Sequence, residues 1–285
     1  MKHIQTIDCL DLKQIADSGQ CFRMNPTGDG GYTIVSRGHF LEISQQGCRI
    51  TFDCPEQELT YWLEYFDCST DYRAILNSVN PGDTYLTEAA GAGRGIRILR
   101  QDPWEMIITF VISQQKTIPK IKELTEALCR NWGTPLGSGA FSFPTPKQLS
   151  AASLEELLDL KLGYRAKYIH RLCADACQGL LDIRRLQDMS YEESMEYLTG
   201  FYGIGKKVAN CVCLFGLHHI EAFPVDTWIE KILMREYFRP RKYRRTPKNS
   251  LYDAILADNF GQYGGCAGVL QQYIFYYERL KQHKI

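Results

Sequence analysis

Two residues in this chain have types and surroundings that suit covalent chemistry on a sugar. Lys207 stands in LTGFYGIGKKVANCVCLFGL (198–217), and Asp226 follows nineteen residues later in PVDTW (224–228). Lys207 falls in the first turn of a helix that starts at Lys206. The positive end of that helix and partial burial would both favour the neutral amine, and a neutral amine is the nucleophile that covalent lysine catalysis requires. Asp226 stands where an N-cap belongs, ahead of TWIEKILMREY. Capping aspartates are common, but capping also keeps a carboxylate ionised. An ionised carboxylate suits a reaction in which a sugar acquires oxocarbenium character.

Between these two elements and the helix before them lies a turn built for an anion. A helix is predicted to end near Leu198, and Gly200, Gly203 and Gly205 follow before the next begins. Gly203-Ile204-Gly205 lets backbone N–H groups approach a phosphate closely, and the following helix N-terminus adds its dipole. Lys206 projects in a different direction from Lys207 and suits a phosphate. A bare G-x-G is weak evidence; with L-x-G before it and G-K-x-V-A after it, the pattern is a helix-hairpin-helix over about 191–217.

The rest of the chain supplies the frame. Residues 20–53 carry short β-rich runs broken by GDGG (28–31), Arg37-Gly38 and QQG (45–47), an antiparallel meander. A helix is predicted from about Glu56 to Leu76, a turn at NPGDT (80–84) and a hinge at GAGRG (91–95). From Asp102 onward the periodicity is helical, with helices predicted over 102–114, 118–132, 146–150, 153–159, 164–178, 182–186, 191–198, 206–217, 226–237, 248–257 and 263–283. RPRKYRRTPK (239–248) reads as a basic, exposed linker. The fold class is therefore α+β: an N-terminal antiparallel β-sheet domain with helices (1–93), then a mostly helical domain (94–285).

Composition limits the function classes. The 285 residues are 45% apolar and 23% charged, ordinary for a globular protein. Eleven cysteines with irregular spacing, and an opening MKHIQTIDCLDLKQ without an apolar core, predict reduced thiols and no secretory leader. No apolar run is long enough to span a bilayer. The net charge is zero, but residues 1–93 hold 13 acidic and 6 basic side chains, a balance of −7, and the remainder holds 20 and 27, a balance of +7. The C-terminal two-thirds thus carries the basic surface that a phosphate backbone needs.

LTGFYGIGKKVAN with PVDTW resembles the helix-hairpin-helix glycosylase superfamily, with its trailing Gly/Pro-rich loop and aspartate. SGQCFRM (18–24), GIRILRQDPWE (95–105), LGYRAKYI (162–169) and AGVLQQYIFYYER (267–279) are similar, in order, to segments of the 8-oxoguanine DNA glycosylase family. The resemblance implies a bifunctional glycosylase and AP lyase of base excision repair, acting on double-stranded DNA as an intracellular monomer. It gives Lys207 the Schiff-base role and Asp226 the essential-aspartate role. It makes Gly19 the residue whose carbonyl accepts the N7–H that 8-oxoguanine has and guanine lacks. Cys211 and Phe275 would sandwich the flipped base, and Gln271 would read its Watson–Crick edge. Tyr164 would be a wedge in the duplex with Arg165 beside it.

One segment departs from the family pattern. In ISQQKTIPK (112–120), Gln115 replaces an asparagine that fills the gap left by the flipped base, and Lys120 replaces an arginine facing the estranged cytosine. A lysine offers a point charge where arginine offers a planar fork, which loosens the expected preference for cytosine. The ISQQ form also resembles the alkyl-base branch of the superfamily, which lacks the lysine nucleophile. A glycosylase for alkylated or otherwise modified bases is thus one rival, and a non-catalytic helix-hairpin-helix DNA-binding protein is another, although the latter has no use for Lys207 with Asp226. Only Cys266 follows Cys213, so no iron–sulfur cluster is expected. No zinc spacing is convincing, because Cys211-x-Cys213 and Cys173-x3-Cys177 lack second pairs, and the expectation is no metal and no dissociable cofactor, with a monovalent cation on the hairpin carbonyls left open.

Overall fold

The computed structural model describes residues 1–282. Five strands form one antiparallel sheet: β1 (Lys2–Thr6), β2 (Met24–Pro26), β3 (Tyr32–Ser36), β4 (His39–Gln46) and β5 (Arg49–Asp53), in the order β1-β5-β4-β3-β2. Period-two alternation sets the register. Ile34 pairs with Leu41 and Ile43 with Phe52, so Met24, Ile34, Leu41, Ile43, Ile50 and Phe52 are all buried on one face. The β3–β4 turn places Arg37 (φ 48°) and Gly38 (φ 82°) at positive φ, as a two-residue turn matching the strand twist requires. Trp62, Tyr65 and Phe66 close the buried face.

The helices of this half are shorter than the periodicity predicts. In place of one helix over 56–76 there are α2 (Leu59–Tyr65) and α3 (Tyr72–Asn77), after an early α1 (Leu12–Asp17). The break is at Asp67, whose φ is +50° and whose side chain is fully buried. Arg100 donates two hydrogen bonds to its Oδ1 (3.0 and 2.9 Å), Tyr72 donates to Oδ2 (3.0 Å), and His218 Nε2 lies 3.2 Å from Oδ2. The carboxylate thereby joins the sheet half to the end of a helix in the other half.

The expected hinge at 91–95 is no hinge. Helix α4 (Thr84–Ala92) runs into it, and residues 96–99 then form a buried extended strap. Arg97 anchors the strap by donating to the carbonyls of Asp8 (2.7 Å), Cys9 (3.1 Å) and Asp67 (2.8 Å), and its guanidinium stacks 4.6 Å from the Tyr72 ring centroid. Tyr72, Leu86, Ala89 and Ala90 pack with the core of the helical half, although they precede residue 93.

That core is built on α5 (Pro103–Ser113), capped by Asp102 and buried from Pro103 to Ile112. Around it lie α6 (Ile118–Trp132), α7 (Pro146–Leu149), α8 (Leu154–Asp159), α9 (Arg165–Cys177), α10 (Ile183–Gln187), α11 (Tyr191–Thr199), α12 (Lys206–Phe215), α13 (Thr227–Ile232), α14 (Leu251–Phe260) and α15 (Ala267–Lys281). Capping boxes at Ser153 and Ser190 start α8 and α11. Helix α13 stops five residues short of the predicted end because Leu233–Tyr237 widen into a π-turn. The 239–248 segment is a loop, with Tyr243 buried and Lys242 paired to Asp258. Among the described residues no helix is long and apolar enough to cross a membrane.

The Asp67 junction has a measurable signature. Burial pushes its carboxyl up, but His218, the Thr70 hydroxyl and Arg100 outweigh that and hold it well below the usual carboxylate range. A depressed pKa contributes stability that is full above the unfolded value of about 3.9 and is lost as pH falls below it. Asp67→Asn is expected to destabilise the protein toward the low end of the ~3–5 kcal/mol that breaking a buried pair costs, because Arg100 stays half solvated. Urea unfolding at pH 7 should show the full gap from wild type, and the gap should close below about pH 4. A gap of constant size across that range would refute the assignment.

Candidate active site

Six of the residues singled out in the sequence line one pocket of about 130 Å³: Gly19, Lys207, Cys211, Asp226, Gln271 and Phe275. They come from four parts of the chain. The pocket exists because those parts are tied to one another by buried hydrogen bonds.

Lys207 opens α12, whose residues Val208 to Phe215 are all buried, so the helix start has little freedom. Its Nζ donates to Ser113 Oγ at 3.1 Å, at the end of α5, and lies 5.3 Å from the Phe110 ring centroid. Ser113 spends its own proton on the Phe110 carbonyl (2.7 Å), so toward Lys207 it acts as acceptor. Phe110 stacks on Phe215 at 5.4 Å and meets Phe22 edge-on at 5.7 Å, giving the amine an apolar floor. Cys211, one turn further along α12, is buried. Burial pushes its thiol up to about 11, against the lowering effect of Lys207 and with a small upward effect from Asp226.

Asp226 caps α13 as expected: its Oδ1 accepts from the Trp228 and Ile229 backbone N–H groups at 3.0 and 2.9 Å. Both bonds use one oxygen, which leaves Oδ2 outside the cap.

Gly19 arrives from the sheet half. Its φ is +78°, and a Cβ there would stand 3.1 Å from the Phe275 ring and 3.2 Å from Ile118. The neighbouring Gln20 holds the loop in place. Its amide donates to Arg97 O (2.9 Å) and Ser18 Oγ (3.0 Å) and accepts from Leu99 N (2.9 Å), while Gln101 donates to Gln20 O (2.9 Å). Gln20 and Gln101 were not singled out from sequence, because their partners lie some 80 positions away.

Gln271 and Phe275 sit on consecutive turns of α15. Gln271 is buried; it donates to Pro224 O at 3.3 Å and accepts from Gln272 Nε2 at 3.0 Å. Phe275 is 6.1 Å from the Trp228 ring. Gln272, not singled out from sequence, and Lys116, for which the sequence leaves both DNA contact and solvent exposure open, also line the pocket.

The remaining residues lie outside the pocket. Gln115 is an exposed turn residue at φ +53°, directly after α5. Lys120 is paired with Glu123 on the next turn of α6. Tyr164 is 42% exposed and forms a ladder of ring contacts through Tyr168 (5.5 Å) to Tyr202 (4.8 Å), a tyrosine in the hairpin that is 58% exposed. Arg165, expected beside the wedge at the DNA surface, is instead buried. It donates to the carbonyls of Gln114 and Leu162 and stacks under Tyr164 at 4.4 Å, because three carbonyl bonds hold the guanidinium inside. It supports the Gln114–Gln115 turn and the Tyr164 ring.

In the hairpin, Gly203 has φ +94°, and a Cβ would overlap Tyr168 at 2.4 Å, so no other residue fits. Its carbonyl accepts from Gln114 Nε2 at 3.1 Å. Gly205 is the N-cap of α12, and a Cβ there would meet nothing within 4 Å, so glycine keeps that face clear. Lys206 makes two 2.8 Å bonds to Asp253, so its charge is already neutralised on the protein. Asn210 bridges the two hairpin helices, donating to Lys206 O (3.0 Å) and accepting from Tyr191 (2.8 Å). Among the described residues no group of three or more His, Cys, Asp and Glu side chains could hold a metal ion.

Comparison with known proteins gives this geometry a family. Residues 3–107 match the model of the 8-oxoguanine DNA glycosylase N-terminal domain, and residues 108–252 match that of the HhH-GPD superfamily base excision DNA repair proteins. The N-glycosylase/DNA lyase of Saccharomyces cerevisiae is 35% identical over 203 residues, covering 65% of this chain and 54% of the yeast protein, so the chain spans about half of that relative's length. An Arabidopsis thaliana relative named N-glycosylase/DNA lyase OGG1 is 29% identical over 93% of this chain and 76% of its own length. The solved Clostridium acetobutylicum 8-oxoguanine glycosylase/lyase, in complex with duplex DNA containing cytosine opposite 8-oxoguanine, superposes with a TM-score of 0.88. That structure is 31% identical over 99% of this chain and 98% of its own. With both domain models matched in order and one fold shared end to end, the chain belongs to the 8-oxoguanine DNA glycosylase family of the helix-hairpin-helix superfamily.

Proposed function

We propose that this chain is a bifunctional DNA glycosylase and AP lyase that excises 8-oxoguanine from duplex DNA inside the cell. The observation that carries the reading is the convergence of Lys207, Asp226 and Gln271 on one pocket walled by Phe275 and Cys211.

The steps follow from the residues present. Phosphates dock on the Gly203–Gly205 turn and the α12 N-terminus, giving salt-dependent affinity that is largely independent of sequence. The damaged nucleotide leaves the stack at a cost of a few kcal/mol, offset by contacts in the pocket, by Tyr164 wedged into the duplex and by Gln115 at the gap left behind. The flipped base lies between Phe275 and Cys211, with the Gly19 carbonyl toward N7–H. The unprotonated Lys207 amine attacks C1′; the Nζ–C1′ bond forms as the bond from C1′ to the base breaks and the base leaves with the electron pair. Asp226 stabilises the positive charge on the sugar during this exchange. Ring opening gives a Schiff base, and loss of a C2′ proton then expels the 3′ phosphate by β-elimination.

Lys120 and Gln115 stand near the opposite strand in this reading. With Lys120 tied to Glu123, the enzyme would tolerate bases other than cytosine opposite the lesion.

Borohydride trapping on a duplex with 8-oxoguanine opposite cytosine tests the chemistry. Wild type should give a covalent adduct, Lys207→Gln none, and Asp226→Asn a loss of about a hundredfold in rate, comparable to removing one preorganised electrostatic contact. Base release without trapping would make the enzyme monofunctional and remove the role given to Lys207. No release at all would turn the assignment toward alkylated or deaminated bases.

Gly19→Ala tests the pocket independently of the nucleophile. The positive φ costs an L-residue roughly 1–2 kcal/mol, and the new methyl group presses on Phe275. Single-turnover excision should fall by about tenfold, since 1.4 kcal/mol is a factor of ten. An unchanged rate would mean that neither the Gly19 backbone nor the Phe275 position matters to the base.

A further inference from the structure

Gln272 is 97% buried, lines the pocket beside Gln271, and has no part in the steps above. The orientations of the two amides follow from one carbonyl. Pro224 O can only accept, so the Gln271 atom 3.3 Å from it is Nε2. Gln271 Oε1 therefore faces Gln272. Two oxygens do not bond, so the Gln272 atom 3.0 Å away is Nε2 as well. The last atom of this hydrogen-bonded series, Gln272 Oε1, is shut off from solvent and has no hydrogen-bond partner among the described residues.

A buried amide oxygen without a donor is costly, and an apolar side chain of the same size would pack there without that cost. Among the described residues, the one side-chain hydrogen bond that Gln272 makes goes to a residue of the pocket. Gln271 keeps one N–H and one oxygen lone pair free of protein partners, in an order that the two neighbours dictate. Turned over by 180°, the same amide would present the opposite order. Purine edges differ in that order: a guanine-type edge offers N1–H and a 2-amino group with an O6 acceptor, whereas an adenine-type edge offers an N1 acceptor with a 6-amino group.

We propose that Gln272 is a positioning residue that, with the Pro224 carbonyl, holds the Gln271 amide in one of its two orientations and so makes the pocket discriminate between purine edges by their donor–acceptor order. This rests on the proposed function for the identity of the base. It is distinct from that function, because excision of 8-oxoguanine needs a reader but does not require that the reader be locked.

The test is single-turnover excision from duplexes bearing 8-oxoguanine or 8-oxoadenine, each opposite cytosine, with melting temperatures measured alongside. Wild type should favour 8-oxoguanine. Gln272→Met, similar in volume and without the donor, should narrow that preference by about tenfold, the worth of one hydrogen bond of ~1.4 kcal/mol. Gln272→Glu keeps the shape but accepts when ionised, which turns the Gln271 amide over. Its preference should narrow further and recover relative to wild type as pH falls, because the protonated carboxyl donates again. A merely structural role would lower both rates together and give no recovery with pH. If Gln272→Met melts early, the pH-dependent ratio of Gln272→Glu carries the decision. Wild type active on 8-oxoguanine with an unchanged ratio in both variants overturns the role of Gln272 alone; wild type inactive on 8-oxoguanine overturns the proposed function and this inference with it.

Discussion

The burial of α12 is the constraint on which the site depends. Eight successive side chains, Val208 to Phe215, are enclosed, and each large apolar one contributes roughly 1.5–3 kcal/mol. A helix enclosed all round cannot slide or roll, so its first turn and the amine of Lys207 stand at a set distance from α5. Ser113 and the Phe110–Phe215 stack then define the direction in which the amine points. The glycine turn before the helix and the capped carboxylate after it inherit their places from the same packing. An exposed helix with the same residues would give a hairpin whose Lys207 amine is not held against Ser113 and Phe110.

The second requirement is that a sheet built from the first 53 residues should contribute to a pocket in the helical half. Two buried polar anchors accomplish this. Asp67 and Arg97 tie the strap and the end of α12 to the sheet side, and Gln20 pins the loop that carries Gly19 against the same strap. Arg97 and Gln20 use side chains to satisfy backbone groups that would otherwise be buried without partners, while Asp67 gathers side chains from both halves, so the junction is rigid because it is polar and enclosed.

Much of this was legible from the residues. The helix over 118–132, the helix start at Asp102, the capping Asp226, the turn at Arg37-Gly38 and the glycine hairpin all rest on local rules, and local rules survive folding. What escaped was set by tertiary context. Strand β1 (KHIQT) has no fully buried residue and reads as polar chain; its pairing with β5 alone makes it a strand. Helix α4 ends in the glycines that suggested a hinge, and its helicity depends on packing against α15. The break at Asp67 comes from partners at 100 and 218. Arg165 looked like a surface cation because its charge is visible in sequence and its two carbonyl acceptors, Gln114 O and Leu162 O, are not. Gln272 carries no motif of its own; only the Pro224 carbonyl distinguishes it from its neighbour.

The thiol of Cys211 gives the pocket a further property. Oxidants and alkylating agents attack thiolates, and with its ionisation pushed up to about 11 this sulfur is almost wholly protonated at neutral pH. Exposed Cys48 and Cys177 lie open to such reagents instead. On the proposed function, a pocket wall made from a protonated, enclosed thiol would offer the base a soft, polarisable face without becoming a casualty of the peroxides that create oxidised bases. The pocket would thus keep its shape under the chemical conditions in which its substrate is most abundant.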